Sequence, residues 1–153
     1  MDLRSRLNET LKTAMREKQA ARLSTLRLIN AAIKDREIDM RGEGEDAGSV
    51  TDEMILSILG KMVKQRQESA RAYEEGGRLE LAENEREEIR VIEEFLPKQL
   101  SDKEVETAVS KAIDEVGASS IRDMGKVMGA LKSKYTGRMD FGAVGPMVKA
   151  RLA

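Results

Sequence analysis

The stretch Phe95–Gly117, FLPKQLSDKEVETAVSKAIDEVG, decides how the chain is organised. Pro97 cannot continue a helix arriving from the N-terminal side, and it biases Leu96 before it towards extended backbone. Four residues on, Ser101 and Glu104 have the S-x-x-E spacing of a capping box, with Leu100 and Val105 placed as its hydrophobic staple. Gly117 then stands where a helix of this length ends on a left-handed residue. One helix therefore stops, PKQLS links, and a new helix starts with its own cap. That places a boundary at residues 96/97, with a domain on either side.

Working towards the N-terminus, the periodicity predicts four helices and no strand. The first starts at Asp2 as N-cap, with Leu3, Leu7, Leu11, Ala14 and Met15 on one face. The second is AARLSTLRLINAAIKDREIDM, with Leu23, Leu26, Ile29 and Ile33 inward. RGEGEDAGS reads as a flexible acidic loop. The third helix starts at Thr51 under a Val50–Ile55 staple and stops at Gly76–Gly77. The fourth carries a thin stripe of Leu81, Ile89, Ile92 and Leu96 and ends before Pro97. Towards the C-terminus three helices are expected. One starts at Ser101, one covers about Ile121–Tyr135 with Met124, Val127, Met128, Leu131 and Tyr135 inward and Ile121 at the edge, and one follows Asp140. Pro146 fits either the interior or the first turn of the last helix. The expectation is an all-α protein, with a four-helix domain over 1–96 and a three-helix domain over 97–153.

Composition narrows the chemistry. The chain has 153 residues, 36% charged and 3% aromatic, with nine methionines, no cysteine and no histidine. Without cysteine there are no disulfides or thiolate metal sites, and without histidine no imidazole base, ligand or triad. ENEREEIRVIEE reads as a solvated face with Glu/Arg pairs at helical spacing rather than a carboxylate metal centre. GASS, Gly117–Ser120, near Lys126, reads as a helix stop and the next N-cap rather than a Ser–Ser–Lys amidase site. No nucleophile–base pair, P-loop or dinucleotide fingerprint emerges, so no cofactor, no metal and no autonomous catalysis are expected. No apolar run approaches the ~20 residues of a membrane span. The N-terminus lacks a signal-peptide h-region, so a cytoplasmic location is the expectation.

Charge is unevenly distributed. Residues 1–41 carry 10 Lys/Arg against 6 Asp/Glu, residues 42–96 carry 7 against 15, and residues 117–153 carry 7 against 2. A basic C-terminal end is a cue for a polyanionic partner. In DMGKVMGALKSKYTGR, Asp123–Arg138, a projection at about 100° per residue puts Gly125 and Gly129 outside the apolar arc, beside Arg122, Lys126, Lys132 and Ser133. Two glycines at i and i+4 make a shallow groove where another backbone can approach closely. A groove flanked by cations suits a phosphate–ribose backbone, and a docked helix of the same protein is the other occupant that fits. Arg22 and Arg27, in RLSTLRLIN, form either the polar side of their helix or part of a second contact surface.

GKVMGALKSKYTGRMD (Gly125–Asp140), RLSTLRLINAAIKDREI (Arg22–Ile38), KMVKQRQESARAYEEGGRLELAENEREEI (Lys61–Ile89) and IEEFLPKQLS (Ile92–Ser101) together resemble the YqeY family over essentially the whole chain. That family is the stand-alone relative of the tail of the B subunit (GatB) of the aspartyl/glutamyl-tRNA amidotransferase. The resemblance implies a GatB-tail-like C-terminal domain and a tRNA-binding accessory role. Arg122, Lys126, Lys132, Lys134, Arg138 and Lys149 would contact phosphates, and Gly125 and Gly129 would permit close approach. It also leaves open an adaptor that docks an aminoacyl-tRNA synthetase or amidotransferase, and participation in carbon–nitrogen ligation with glutamine as amide donor. Gly125, Lys126, Val127, Met128, Gly137, Arg138 and Asp140 match the family pattern. Met139 stands where a smaller residue is expected, and Pro146 where an asparagine is usual.

Overall fold

A computed structural model describes residues 2–44 and 50–153; of the RGEGEDAGS segment, residues 45–49 lie outside this description. The described chain is all-helical, with α1 Leu3–Arg16, α2 Ala20–Gly42, α3 Asp52–Glu75, α4 Leu79–Glu93, α5 Asp102–Val116, α6 Met124–Tyr135 and α7 Phe141–Leu152. It divides into two compact units, Met1–Leu96 and Pro97–Ala153.

The N-terminal unit is built from capped amphipathic helices. The Asp2 carboxylate accepts from the Ser5 backbone N–H at 2.8 Å, and the Thr51 hydroxyl accepts from that of Met54 at 3.2 Å, so α1 and α3 start where side chains can satisfy orphan donors. Arg41 and Gly42 belong to the end of α2 rather than to a loop. Leu3, Leu7, Leu26, Ile29, Ile33, Ile55, Leu59, Ile92 and Phe95 form the core. Two expected core positions are solvent-facing: Met15 is 53% and Leu81 38% exposed. Met15 lies ~120° around the wheel from Leu3, beyond the stripe, and Ala82 rather than Leu81 is in phase with Ile89. Ala82 is fully buried, as is Ala70 on α3; small side chains at these points let the two helices approach closely. The α3–α4 turn is closed by Gly76 and by Gly77 at φ +75°.

Much of the acidic run on α4 is engaged in ion pairs. Arg66 donates to Glu88 at 2.8 Å, Arg86 pairs with Glu74, and Arg90 binds Glu83 at 3.0 Å and Glu87. Burial, and then the charge of Glu88, push the Glu85 carboxyl upward, while Arg66 pulls the other way.

The C-terminal unit has its own core of Val109, Ala112, Val127, Leu131, Met139, Val144 and Val148. Its entry is the capping box at Ser101. The hydroxyl accepts from the Glu104 N–H at 3.2 Å, and the Glu104 carboxylate accepts from the Ser101 N–H at 3.1 Å. Leu100 and Val105 pack against the core beneath it. Helix α5 ends at Gly117, φ +65°, the left-handed geometry that costs glycine nothing. The short helix over Ile121–Asp123 is 3₁₀, not the first turn of α6. This tighter winding shifts its phase and leaves Ile121 46% exposed instead of at the core edge. Pro146 lies inside α7, five residues beyond its start, and faces solvent, so Asp140 rather than the proline begins the helix. The Asp140 carboxylate accepts from the Gly142 N–H at 2.9 Å. Met139 fills the core, where a side chain larger than expected finds space.

Candidate nucleic-acid interface

The surface singled out by sequence is on α6. Val127 and Leu131 are buried, and Met124, Met128 and Tyr135 pack against the same core. With that side inward, the opposite side runs Lys132, Gly125, Gly129, Ser133, Lys126 around the helix, and all five are exposed. A Cβ placed on Gly125 or Gly129 meets no heavy atom within 4 Å. Within its own unit, no neighbouring helix fills this groove. The floor is open and bare.

The start of α6 explains how Lys126 is placed. The Asp123 carboxylate accepts from the N–H groups of Ser119 and Ser120 at 3.0 and 3.4 Å, which fixes the chain between Gly117 and α6. Those bonds, Ser119's first, hold the Asp123 carboxyl below its usual range, with the Lys126 charge adding to the effect. Ser119 and Ser120 thus serve the helix start, as the capping reading of GASS expects. No ion pair recorded among the described residues engages Arg122, Lys126, Lys132, Lys134 or Lys149.

The remaining candidates do not all share this face. Lys134 projects about 180° from Gly125 on the helical wheel, with its ammonium 5.7 Å from the Tyr135 ring centre. Arg122 precedes on the 3₁₀ turn, and Lys149 is exposed on α7. Arg138 is held within its own unit. Its Nε donates to the Lys98 carbonyl at 3.1 Å, and its own carbonyl accepts from the Leu100 N–H at 2.9 Å. It is half-buried and fastens the turn after α6 to the segment before α5.

The second surface is reduced as well. Arg22 binds Glu94 through both terminal nitrogens, one contact at 3.0 Å, and that hydrogen bonding raises its already high pKa further. Arg27 is exposed. Sequence alone does not single out another edge of the C-terminal unit. There Lys103, Thr107 and Lys111, spaced i, i+4, i+8 on α5, line a cleft of about 460 Å³ with Tyr135 and Arg138. That spacing is visible in the sequence, but in a segment whose strongest local signal is the capping box.

Fold and surface together define an all-helical two-unit protein with a bare, glycine-floored cationic helix face on its C-terminal unit. The chain belongs to the Yqey-like family, whose family model, described as Yqey-like protein, matches residues 4–152. Among curated proteins it is similar to the mitochondrial Altered inheritance of mitochondria protein 41 of several fungi. It is 34% identical over 119 residues to that of Clavispora lusitaniae, covering 76% of this chain and 66% of the relative. With Meyerozyma guilliermondii the figures are 42% over 91 residues, 59% and 44%. With Lachancea thermotolerans they are 30% over 122 residues, 78% and 63%. The chain thus spans less than two thirds of the length of these relatives.

These names correct the cytoplasmic expectation, because they point to mitochondria instead. The physical reason is plain. A missing apolar h-region speaks only to the secretory route, whereas mitochondrial targeting segments are amphipathic and arginine-rich.

Proposed function

We propose that the protein is a non-catalytic tRNA-binding accessory protein, with the α6 face as its contact surface. The observation that carries this reading is the exposed run Lys132–Gly125–Gly129–Ser133–Lys126, on which a Cβ at either glycine meets nothing within 4 Å. A sugar–phosphate chain needs cations at its flanks and room for its backbone, and this face offers both. The excess of 7 Lys/Arg over 2 Asp/Glu across residues 117–153 adds a long-range attraction for polyanions. The mitochondrial names of the relatives direct the test towards mitochondrial tRNA.

A fluorescence titration of labelled tRNA at low salt tests the proposal. Saturable binding that Lys126→Glu weakens at least tenfold is expected. Undetectable binding, or binding indifferent to Lys126→Glu, overturns it.

A second reading, a protein adaptor that docks a synthetase or amidotransferase, draws on a different observation. Leu79 is 67% and Ile38 61% exposed on the N-terminal unit, apolar side chains that a partner could cover. Capture of such an enzyme that survives nuclease treatment and is lost on Leu79→Asp favours it.

A further inference from the structure

The cleft on the C-terminal unit is distinct from the glycine face. Its floor is apolar, with Ala108 buried and Leu100 half-buried, and its volume of about 460 Å³ lies in the range of small-ligand sites. Lys103 and Lys111 stand exposed along one wall, two α-helical steps of four residues apart, so their Cα atoms are about 12 Å from each other. The Thr107 hydroxyl lies between them, donating at 3.1 Å to the Lys103 carbonyl. On the other wall the Arg138 guanidinium lies 5.9 Å from the Tyr135 ring centre.

The one carboxylate in the lining, Glu104, accepts from the Ser101 N–H at 3.1 Å and stays charged, its pKa lowered first by that backbone bond and further by the nearby charges of Lys98 and Arg138. The cleft thus presents two lysines and a guanidinium, the latter fixed in place by the Lys98 carbonyl, against a single carboxylate and beside an aromatic ring.

From this juxtaposition we infer that the cleft binds a single unstacked nucleotide, its base laid on the Tyr135–Arg138 pair and its phosphate held by Lys103 and Lys111. Bases stack on aromatic rings and guanidinium planes whatever their identity, and exposed lysines supply sequence-independent phosphate contacts. The glycine face, by contrast, has no aromatic side chain and suits only backbone. The inference rests on the tRNA reading for its class of partner and adds a site that reads unpaired nucleotides. An unpaired strand and a free mononucleotide share this chemistry.

The test is amide chemical-shift mapping on the full chain with four probes: a short oligouridylate, uridine 5′-monophosphate, uridine and inorganic phosphate. Shifts at Lys103, Lys111 and Tyr135 with the oligomer or the monophosphate, weakened at least tenfold by Lys103→Glu/Lys111→Glu, are expected. Tighter binding of the oligomer identifies a strand as the natural ligand, and equal binding a free nucleotide. Tyr135→Leu, which keeps an apolar side chain against the core, is expected to weaken nucleotide but not phosphate at least tenfold with the helical circular dichroism intact. Absence of shifts, or equal shifts with inorganic phosphate alone, overturns the inference. Oligomer binding abolished by Lys126→Glu yet untouched by Lys103→Glu overturns the cleft and leaves the α6 reading standing. The converse overturns α6 and leaves the cleft.

Discussion

Replacing Gly125 and Gly129 by alanine should make the protein more stable and a poorer ligand for RNA. In a helix interior glycine is less favourable than alanine by ~0.8–1.0 kcal/mol per site. That gain is realised only where the new Cβ meets nothing, and both positions are open to 4 Å. Gly129 lies in the interior of α6, whereas Gly125 is its second residue, so the double variant should gain about 1 kcal/mol, most of it from Gly129, and in a unit of this size each kcal/mol is worth roughly 4–8 °C. A thermal melt followed by circular dichroism, with hydrogen exchange at the α6 amides, reads the gain. Gly129→Leu keeps most of the propensity benefit and raises the floor of the groove by a whole side chain. It should weaken tRNA at least tenfold, about 1.4 kcal/mol of binding. The two readouts refute different steps. A destabilised double alanine variant means that the face is packed against something, and the openness of the groove is wrong. A stabilised Gly129→Leu that binds tRNA like the parent means that the groove is not the contact.

Other outcomes follow from the caps and charges. Ser101→Ala removes one half of the capping box and should cost about 1 kcal/mol, measurable by urea unfolding, whereas Thr107→Ala on the same helix should cost little. Lys18 holds φ +55° in the turn between α1 and α2; Lys18→Gly should relieve that strain and stabilise by ~1 kcal/mol. The Asp2 carboxyl, bonded first to the Ser5 backbone, and that of Glu104, bonded first to the Ser101 backbone, are held below their ordinary values of 3.8 and 4.5. Their contribution is complete above those values and disappears as pH falls through the lowered folded-state values, so Asp2→Asn should flatten the acid limb of the stability profile. Glu85 has the opposite sign. Its folded pKa is raised above 4.5, mainly by burial, so stability declines as pH rises from 4.5 through the folded value, and Glu85→Gln should remove that decline.

Most of the fold was legible because its punctuation is local. Asp2, Thr51 and Ser101 cap helices through their own side chains, and Gly76–Gly77 and Gly117 end them, with Gly77 and Gly117 at positive φ, none of which needs tertiary information. What sequence misplaced were residues at stripe edges. Met15, Leu81 and Ile121 are apolar and near the correct phase, but each lies past the boundary that packing draws. The start of α7 after Asp140 was legible from its cap, while the choice between interior and first turn for Pro146 was left open by the sequence and is interior in the structure.

The glycine face was legible because only helical phase was required to find it. The restraint of Arg22 by Glu94 and of Arg138 by Lys98 was not, since those partners are 72 and 40 residues away in sequence. The cleft was missed for the same reason: Lys103 and Lys111 gain meaning only when Tyr135 and Arg138 are brought opposite them.

The salt dependence of tRNA binding tests the central claim most directly. About four phosphate contacts predict a slope of log K against log salt near −3 to −4 for the parent chain, reduced in magnitude by roughly 2 in Lys126→Glu/Lys132→Glu. A slope near zero, or one that the double variant leaves unchanged, contradicts the assignment of the α6 face to RNA.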